Sequence, residues 1–190
     1  MVVPDAEALA ETAATLVRDR VRANPELVMA VPAGRTPRRM YERLRDLQAE
    51  APVEFSRMRV LCVDELCPPA AADGYFWSQV RREFLSWAAV KPEHCHPFRV
   101  DVADLDAMCR DYEETIARLG GLDLVMLGLG PNARLATIAR AREVVVIVSG
   151  AGKRQALRRL TDGPVGPDVP ASVLRSHACC TVLADRDATG

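Results

Sequence analysis

The chain has 190 residues, 49% hydrophobic and 27% charged, enough to bury one core without disulfides or a structural metal. Its 25 lysines and arginines almost cancel 26 aspartates and glutamates, leaving a net charge of -1. That balance excludes the broad basic field of a nucleic-acid or acidic-membrane binder, so an anionic ligand must be held by a local site.

The first residues lack a basic stretch followed by an apolar run, and nothing approaches the roughly 20 apolar residues of a membrane span. We read a cytoplasmic protein with no membrane partner. Leu9, Ala13, Leu16 and Val21 recur near helical spacing within residues 5–23, and Asn24-Pro25 stops that helix. "LVMAVP" (27–32) is a short apolar strand ending in a Gly/Pro loop. "PRRMYERLRDLQAE" (37–50) opens with Pro37 at the first helical position and sets Met40, Leu44 and Leu47 on one face.

The rhythm then repeats. "MRVLCVDE" (58–65) reads as a strand ending in acids, "YFWSQVRREFLSWA" (75–88) as an amphipathic helix, and "DLDAMCRDYEETIARLG" (104–120) as a helix closed by Gly120-Gly121. "LDLVMLGLG" (122–130) and "EVVVIVSG" (143–150) are continuous apolar strands of the kind covered on both faces. "GKRQALRRL" is helical, its arginines forming a solvated face, and "CCTVLAD" (179–185) is the last strand. The alternation predicts one domain over residues 1–190, a three-layer, mostly parallel Rossmann-like α/β sheet.

The six cysteines form no CxxC pair and read as reduced, mostly buried thiols. His94-Cys95-His96 lies in a loop before Pro97 and lacks a second cluster with zinc-like spacing, so no metal is expected. His177 reads as a packing or capping residue.

Ligands of parallel sheets bind beyond the carboxyl ends of the strands. Four loops therefore carry the functional argument. "VPAGRTPRRMY" offers Gly34 for close backbone approach, the Thr36 hydroxyl and a helix N-terminus suited to an anion. "VSGAGKRQAL" offers Ser149, flexible glycines and Lys153 at another helix start. Each is common punctuation when taken alone, and no Walker pattern is present. "VDELCPP" sets Asp64 and Glu65 at a strand end, where a carboxylate serves as a general base if its surroundings tune it, or simply caps the next segment. Gly128-Leu129-Gly130 lacks the third glycine of a dinucleotide fingerprint.

"VPAGRTPRRMYERL", "VLCVDELCPPAAADGYFWSQVRREFL", "YEETIARLGGLDLVMLGLGPN", "VVVIVSGAGKRQAL" and "VPASVLRSHACCTVLADRDA" follow one another in an order that resembles the glucosamine-6-phosphate deaminase (isomerase) family, itself related to 6-phosphogluconolactonases. The likeness runs from about Leu27 to Ala188, and "VPASVLRSH" with "GGLDL" is closer to the deaminase branch. The resemblance implies that Ala33, Gly34, Arg35 and Thr36 hold a sugar phosphate and that Lys153 grips it. Asp64 would take the C2 proton of a ring-opened aminosugar, with Asn132 in the catalytic loop and Glu65 and Gly130 in support. The implied reaction converts glucosamine 6-phosphate to fructose 6-phosphate and ammonia without a cofactor. The alternatives are a lactonase-like hydrolase or a non-catalytic sugar-phosphate-binding protein. A homo-oligomer is compatible with the sequence.

One stretch departs from the family. Its third loop reads Gly-x-Gly-x-(Asp/Asn)-Gly-His, with the histidine opening the sugar ring; this chain reads Gly128-Leu129-Gly130-Pro131-Asn132-Ala133-Arg134. The family then inserts a lid bearing a glutamate and a phosphate-binding arginine, whereas here "ATIARAREV" follows almost directly. A segment is thus missing near residues 132–137, either by true deletion or because the natural chain is longer at this point.

Overall fold

The computed structural model describes residues 1–68, 74–129, 138–166 and 169–190. The described strands are β1 (Val2–Val3), β2 (Val28–Val31), β3 (Arg59–Cys62), β4 (Cys95–His96), β5 (Leu124–Gly128), β6 (Glu143–Val148) and β7 (Cys180–Asp185). All pair in parallel in the order β1-β7-β6-β5-β2-β3-β4. The sheet is the parallel α/β type expected from the alternating runs.

The helices are α1 (Ala6–Ala23), α2 (Arg35–Glu50), α3 (Tyr75–Val80), α4 (Ser86–Ala88), α5 (Leu105–Arg118), α6 (Arg154–Asp162) and the short α7 (Arg186–Thr189). A π-helical turn, Arg81–Leu85, joins α3 to α4, so the helix expected over 75–88 is continuous but widened in its middle. Asp5 caps α1 by accepting the Ala8 amide at 2.9 Å. At the end of α5 the Gly121 amide reaches Ile116 O and the Gly120 amide reaches Ala117 O, a paired C-terminal closure.

Period-two alternation divides the strands between two cores. Met29, Val31, Val60, Leu124, Met126, Val145 and Ile147 meet α1, α2 and the α3–α4 segment on one face. Ala30, Leu61, Val125, Leu127, Val146 and Val148 meet α5 and α6 on the other. This two-sided cover explains the unbroken apolar runs of β5 and β6. Met40, Leu44 and Leu47 of α2 are buried in the first core, each contributing roughly 1.5–3 kcal/mol by leaving water.

Three sequence expectations need correction. β1 and β4 are two-residue edge strands, so Cys95 and His96 pair with Val60 and Leu61 instead of lying in a loop. Helix α2 starts at Arg35, placing Pro37 third; proline is tolerated there because first-turn amides have no intrahelical acceptor. The cysteines are free, but only Cys62 is buried, while Cys67 and Cys179 are exposed. No helix among the described residues is long and apolar enough to cross a membrane.

The strand order reverses between β2 and β5. From β2 the chain grows outward through β3 to β4, then returns to the other side of β2 and grows through β5 to β6 and β7. Such a switch point opens a crevice beyond the carboxyl ends of β2 and β5, where loops diverge to opposite faces.

Candidate functional site

The loops after β6, β5, β2 and β3 lie side by side along that edge. The loop after β2 is fixed from beneath: the buried Tyr41 hydroxyl donates to Pro32 O at 2.7 Å, and its ring stacks on Phe84 at 5.2 Å. Gly34 then takes φ +116° as the residue preceding α2, a conformation that admits essentially only glycine. Arg35 and Thr36 follow as the first two helical residues, so their amides carry the partial positive charge of the helix start. Ala33, Gly34 and Thr36 are half-buried and Arg35 is exposed.

The loop after β3 leaves the sheet next to it. Tyr112 of α5 accepts the Cys62 amide at 2.9 Å, and its hydroxyl is 2.9 Å from Cys62 O and 3.0 Å from His96 O. The Cys62 thiol donates to Asp64 O at 2.9 Å. Asp64 is thus held through its backbone while its side chain remains accessible to water. Partial desolvation by the surrounding protein, and secondarily the charge of Glu65, raise its pKa above the ordinary carboxylate value.

Glu65 faces elsewhere. Its Oε1 accepts the amides of Leu66, Tyr75 and Phe76 at 2.8–3.0 Å, and its Oε2 accepts the Trp77 amide at 3.0 Å. It therefore caps α3 across a ten-residue gap. A methyl group on Gly74 would come within 2.4 Å of Oε2, so the capped turn has no room for a side chain there. Of the Asp-Glu pair, Glu65 anchors the segment that follows it, and the Asp64 side chain is exposed.

The loop after β6 passes through Ser149 and Gly150, the latter at φ +90°, into a 3-10 turn at Ala151–Lys153 and then α6. The Lys153 ammonium donates to Leu129 O at 2.8 Å, tying this loop to the one after β5. Gly130 and Asn132 lie outside the described residues, as does the join between the two family motifs.

Of the three histidines, His94 and His177 precede β4 and β7 at the opposite end of the sheet, while His96 ends the edge strand β4 beside β3. His177 precedes β7: its Nδ1 accepts the Cys179 amide at 3.0 Å and its Nε2 is 2.8 Å from Ala141 O, so it ties backbone, as its reading as a capping residue expects. His96, on the edge strand, has its pKa lowered by burial first and then by the charges of His94, Arg59 and Arg118. Among the described residues no group of three or more metal-ligating side chains gathers.

Three site-supporting residues escape a sequence reading: Tyr41, Tyr112 and Asp185. The tyrosines sit on helix faces that read as core, and nothing local shows that their hydroxyls reach strand-end carbonyls. Asp185, at the end of β7, reads as one more acid in "ADRDA", yet it is 2% exposed.

The family model for glucosamine-6-phosphate isomerases/6-phosphogluconolactonase matches residues 4–136. The chain is 28% identical to a glucosamine-6-phosphate deaminase of Halothermothrix orenii, over 95% of this chain and 94% of that one. It is 30% identical to one of Pseudarthrobacter chlorophenolicus, over 95% and 87%. The first of these alignments spans 227 positions, more than the 190 residues of the chain, so the relative carries residues inside the matched region that have no counterpart here. A solved structure of a monomeric glucosamine-6-phosphate deaminase superposes with a TM-score of 0.92 at 24% identity, over 99% of this chain and 97% of that one. A 6-phosphogluconolactonase from Trypanosoma brucei superposes at 0.78 and 19% identity, over 99% and 97%.

Proposed function

We propose, starting from the fact that this chain belongs to the glucosamine-6-phosphate isomerase/6-phosphogluconolactonase family, that it converts glucosamine 6-phosphate to fructose 6-phosphate and ammonia. The observation that carries the reading is the placement of Asp64. It lies at the end of β3, directly beside the strand whose loop presents Gly34 and the start of α2.

In this reading the phosphate rests on the Gly34–Thr36 turn and meets the Lys153 ammonium from the β6 side. The two grips flank the switch point, so the sugar carbons extend from the phosphate toward the β3 loop. Asp64 removes the proton from C2 of the open-chain sugar, and the C–H electrons form a C1–C2 double bond as the aldehyde oxygen takes up a proton. Return of a proton to C1 converts this enolamine to an imine at C2. Water adds to the imine carbon and ammonia leaves, giving the ketose phosphate. Proton transfer beside a carbonyl requires no cofactor. The raised pKa of Asp64, set by desolvation and then by the charge of Glu65, makes it a stronger base than an ordinary aspartate.

Ammonia release from glucosamine 6-phosphate, assayed beside hydrolysis of 6-phosphogluconolactone, tests the proposal. Turnover of the aminosugar alone supports it, and turnover of the lactone alone assigns the hydrolase branch. Fructose 6-phosphate binding without turnover of either would mark a sugar-phosphate-binding protein with an open site, as expected if the absent segment supplies an indispensable acid.

A further inference from the structure

Asp185 closes β7, and its buried carboxylate accepts four hydrogen bonds. Ser149 Oγ donates to Oδ2 at 2.6 Å, the Gly150 amide lies 3.0 and 3.1 Å from the two oxygens, and the Ala188 amide donates to Oδ1 at 2.8 Å. Burial alone would push its pKa up, but the bonds from Ser149, Gly150 and Ala188, helped by the charge of Arg39, hold it below the ordinary value.

Capping the short α7 needs only the Ala188 contact. The remaining bonds cross to the neighbouring strand and hold the loop where the backbone is least able to hold itself, at Gly150 with its φ of +90°. From there the connection continues: Gly150 O accepts the Lys153 amide at 3.0 Å, and the Lys153 ammonium reaches Leu129 O at 2.8 Å. The carboxylate, the left-handed glycine and the lysine form one hydrogen-bonded series running from β7 to the β5 loop.

We infer that Asp185 is a positioning residue for anion binding, which fixes the Ser149-Gly150 turn and thereby the aim of the Lys153 ammonium. The inference rests on reading Lys153 as a phosphate ligand. Asp185 does not touch the substrate in this scheme and acts only through the loop it holds.

The test is a double-mutant cycle on the complete chain. Wild type, Asp185→Asn, Lys153→Ala and the double variant are titrated calorimetrically with fructose 6-phosphate and with inorganic phosphate, and their melting temperatures are measured. Asp185→Asn should weaken binding about tenfold, the scale of one lost charge-assisted hydrogen bond, and should raise KM for glucosamine 6-phosphate with little change in kcat. With Lys153 already removed, the same substitution should add less than about twofold, because coupled residues are not additive. Ser149→Ala, which removes a single donor, carries the same cycle should Asp185→Asn not fold.

An Asp185→Asn protein that binds as wild type, or one that loses affinity equally with and without Lys153, overturns the inference alone. A wild-type protein that takes up neither ligand overturns the functional reading and this inference together.

Discussion

Tyr112 holds Cys62 by both of its backbone polar groups: its hydroxyl accepts the Cys62 amide at 2.9 Å and lies 2.9 Å from the Cys62 carbonyl. The same oxygen is 3.0 Å from His96 O, so one buried hydroxyl joins the ends of β3 and β4 two residues before Asp64. Tyr112→Phe keeps the packing against Phe98 but leaves these backbone groups unsatisfied. It should cost about 1–3 kcal/mol, a fall of several degrees in Tm, read by circular dichroism. Because the lost bonds fix the strand end that bears Asp64, the proposed base, kcat should fall as well, whereas a change confined to Tm would show that Asp64 is positioned without them.

Asp64→Asn should reduce ammonia release by about 100-fold or more, the usual span for a general base. The stability sign is opposite. The Asp64 carboxyl is raised above the ordinary value of 3.8 by burial and then by Glu65, so the folded chain holds that proton more tightly than the unfolded chain. The favourable contribution is complete below the unfolded pKa and lost as pH rises through the folded one. Above the folded pKa the ionised side chain is therefore a liability to the fold, and there Asp64→Asn should melt at or above the wild-type temperature. In wild type, kcat/KM should fall with decreasing pH along a limb centred above 3.8, which Asp64→Asn abolishes. An inactive variant with a clearly lower Tm would point to misfolding instead of loss of a base.

The Cys62 thiol, two residues from Asp64, should be inert despite its place near the site. Burial, and then the charges of Asp64 and Glu65, push it up to about 12, so the thiolate that reacts with alkylating agents is scarce. Iodoacetamide at pH 8 followed by peptide mapping should label the exposed Cys67 and Cys179 first and reach Cys62 only after denaturation. Early labelling of Cys62 would show that the β3 end opens in solution.

The helices and long strands are legible in the sequence because their signals are repetitive: four apolar positions mark α1, and unbroken valines and leucines mark β5 and β6. The short edges are not. Val2–Val3 is too brief for any periodicity, and it becomes a strand only because Ala184 and Asp185 offer a neighbouring ladder. The site divides in the same way. Gly34, Thr36 and Lys153 stand at helix starts that turn chemistry announces, and the Asp64-Glu65 pair is visible at a strand end. The division of labour within that pair depends on the folded position of the Tyr75–Trp77 amides, ten residues and more away from Glu65. Asp185 likewise acquires its role from β6, a neighbour in the sheet and not in the chain.

Gly34 provides the sharpest separation of the proposed phosphate binding from stability. At φ +116° and ψ -176° its backbone lies where only glycine is comfortable, yet a Cβ built there meets no heavy atom within 4 Å. Gly34→Ala therefore adds no clash, and its cost is backbone strain of about 1–3 kcal/mol. The chain can relieve that strain by rotating the turn, which swings the Arg35 and Thr36 amides away from the proposed phosphate position. KM for the sugar phosphate should rise several-fold while kcat at saturation changes less. Gly120→Ala is the control: φ is +83° and a Cβ there is also unopposed, but the residue closes α5 away from the carboxyl edge. It should lower Tm comparably and leave KM unchanged. Equal effects of the two variants on KM would place the phosphate somewhere other than the start of α2.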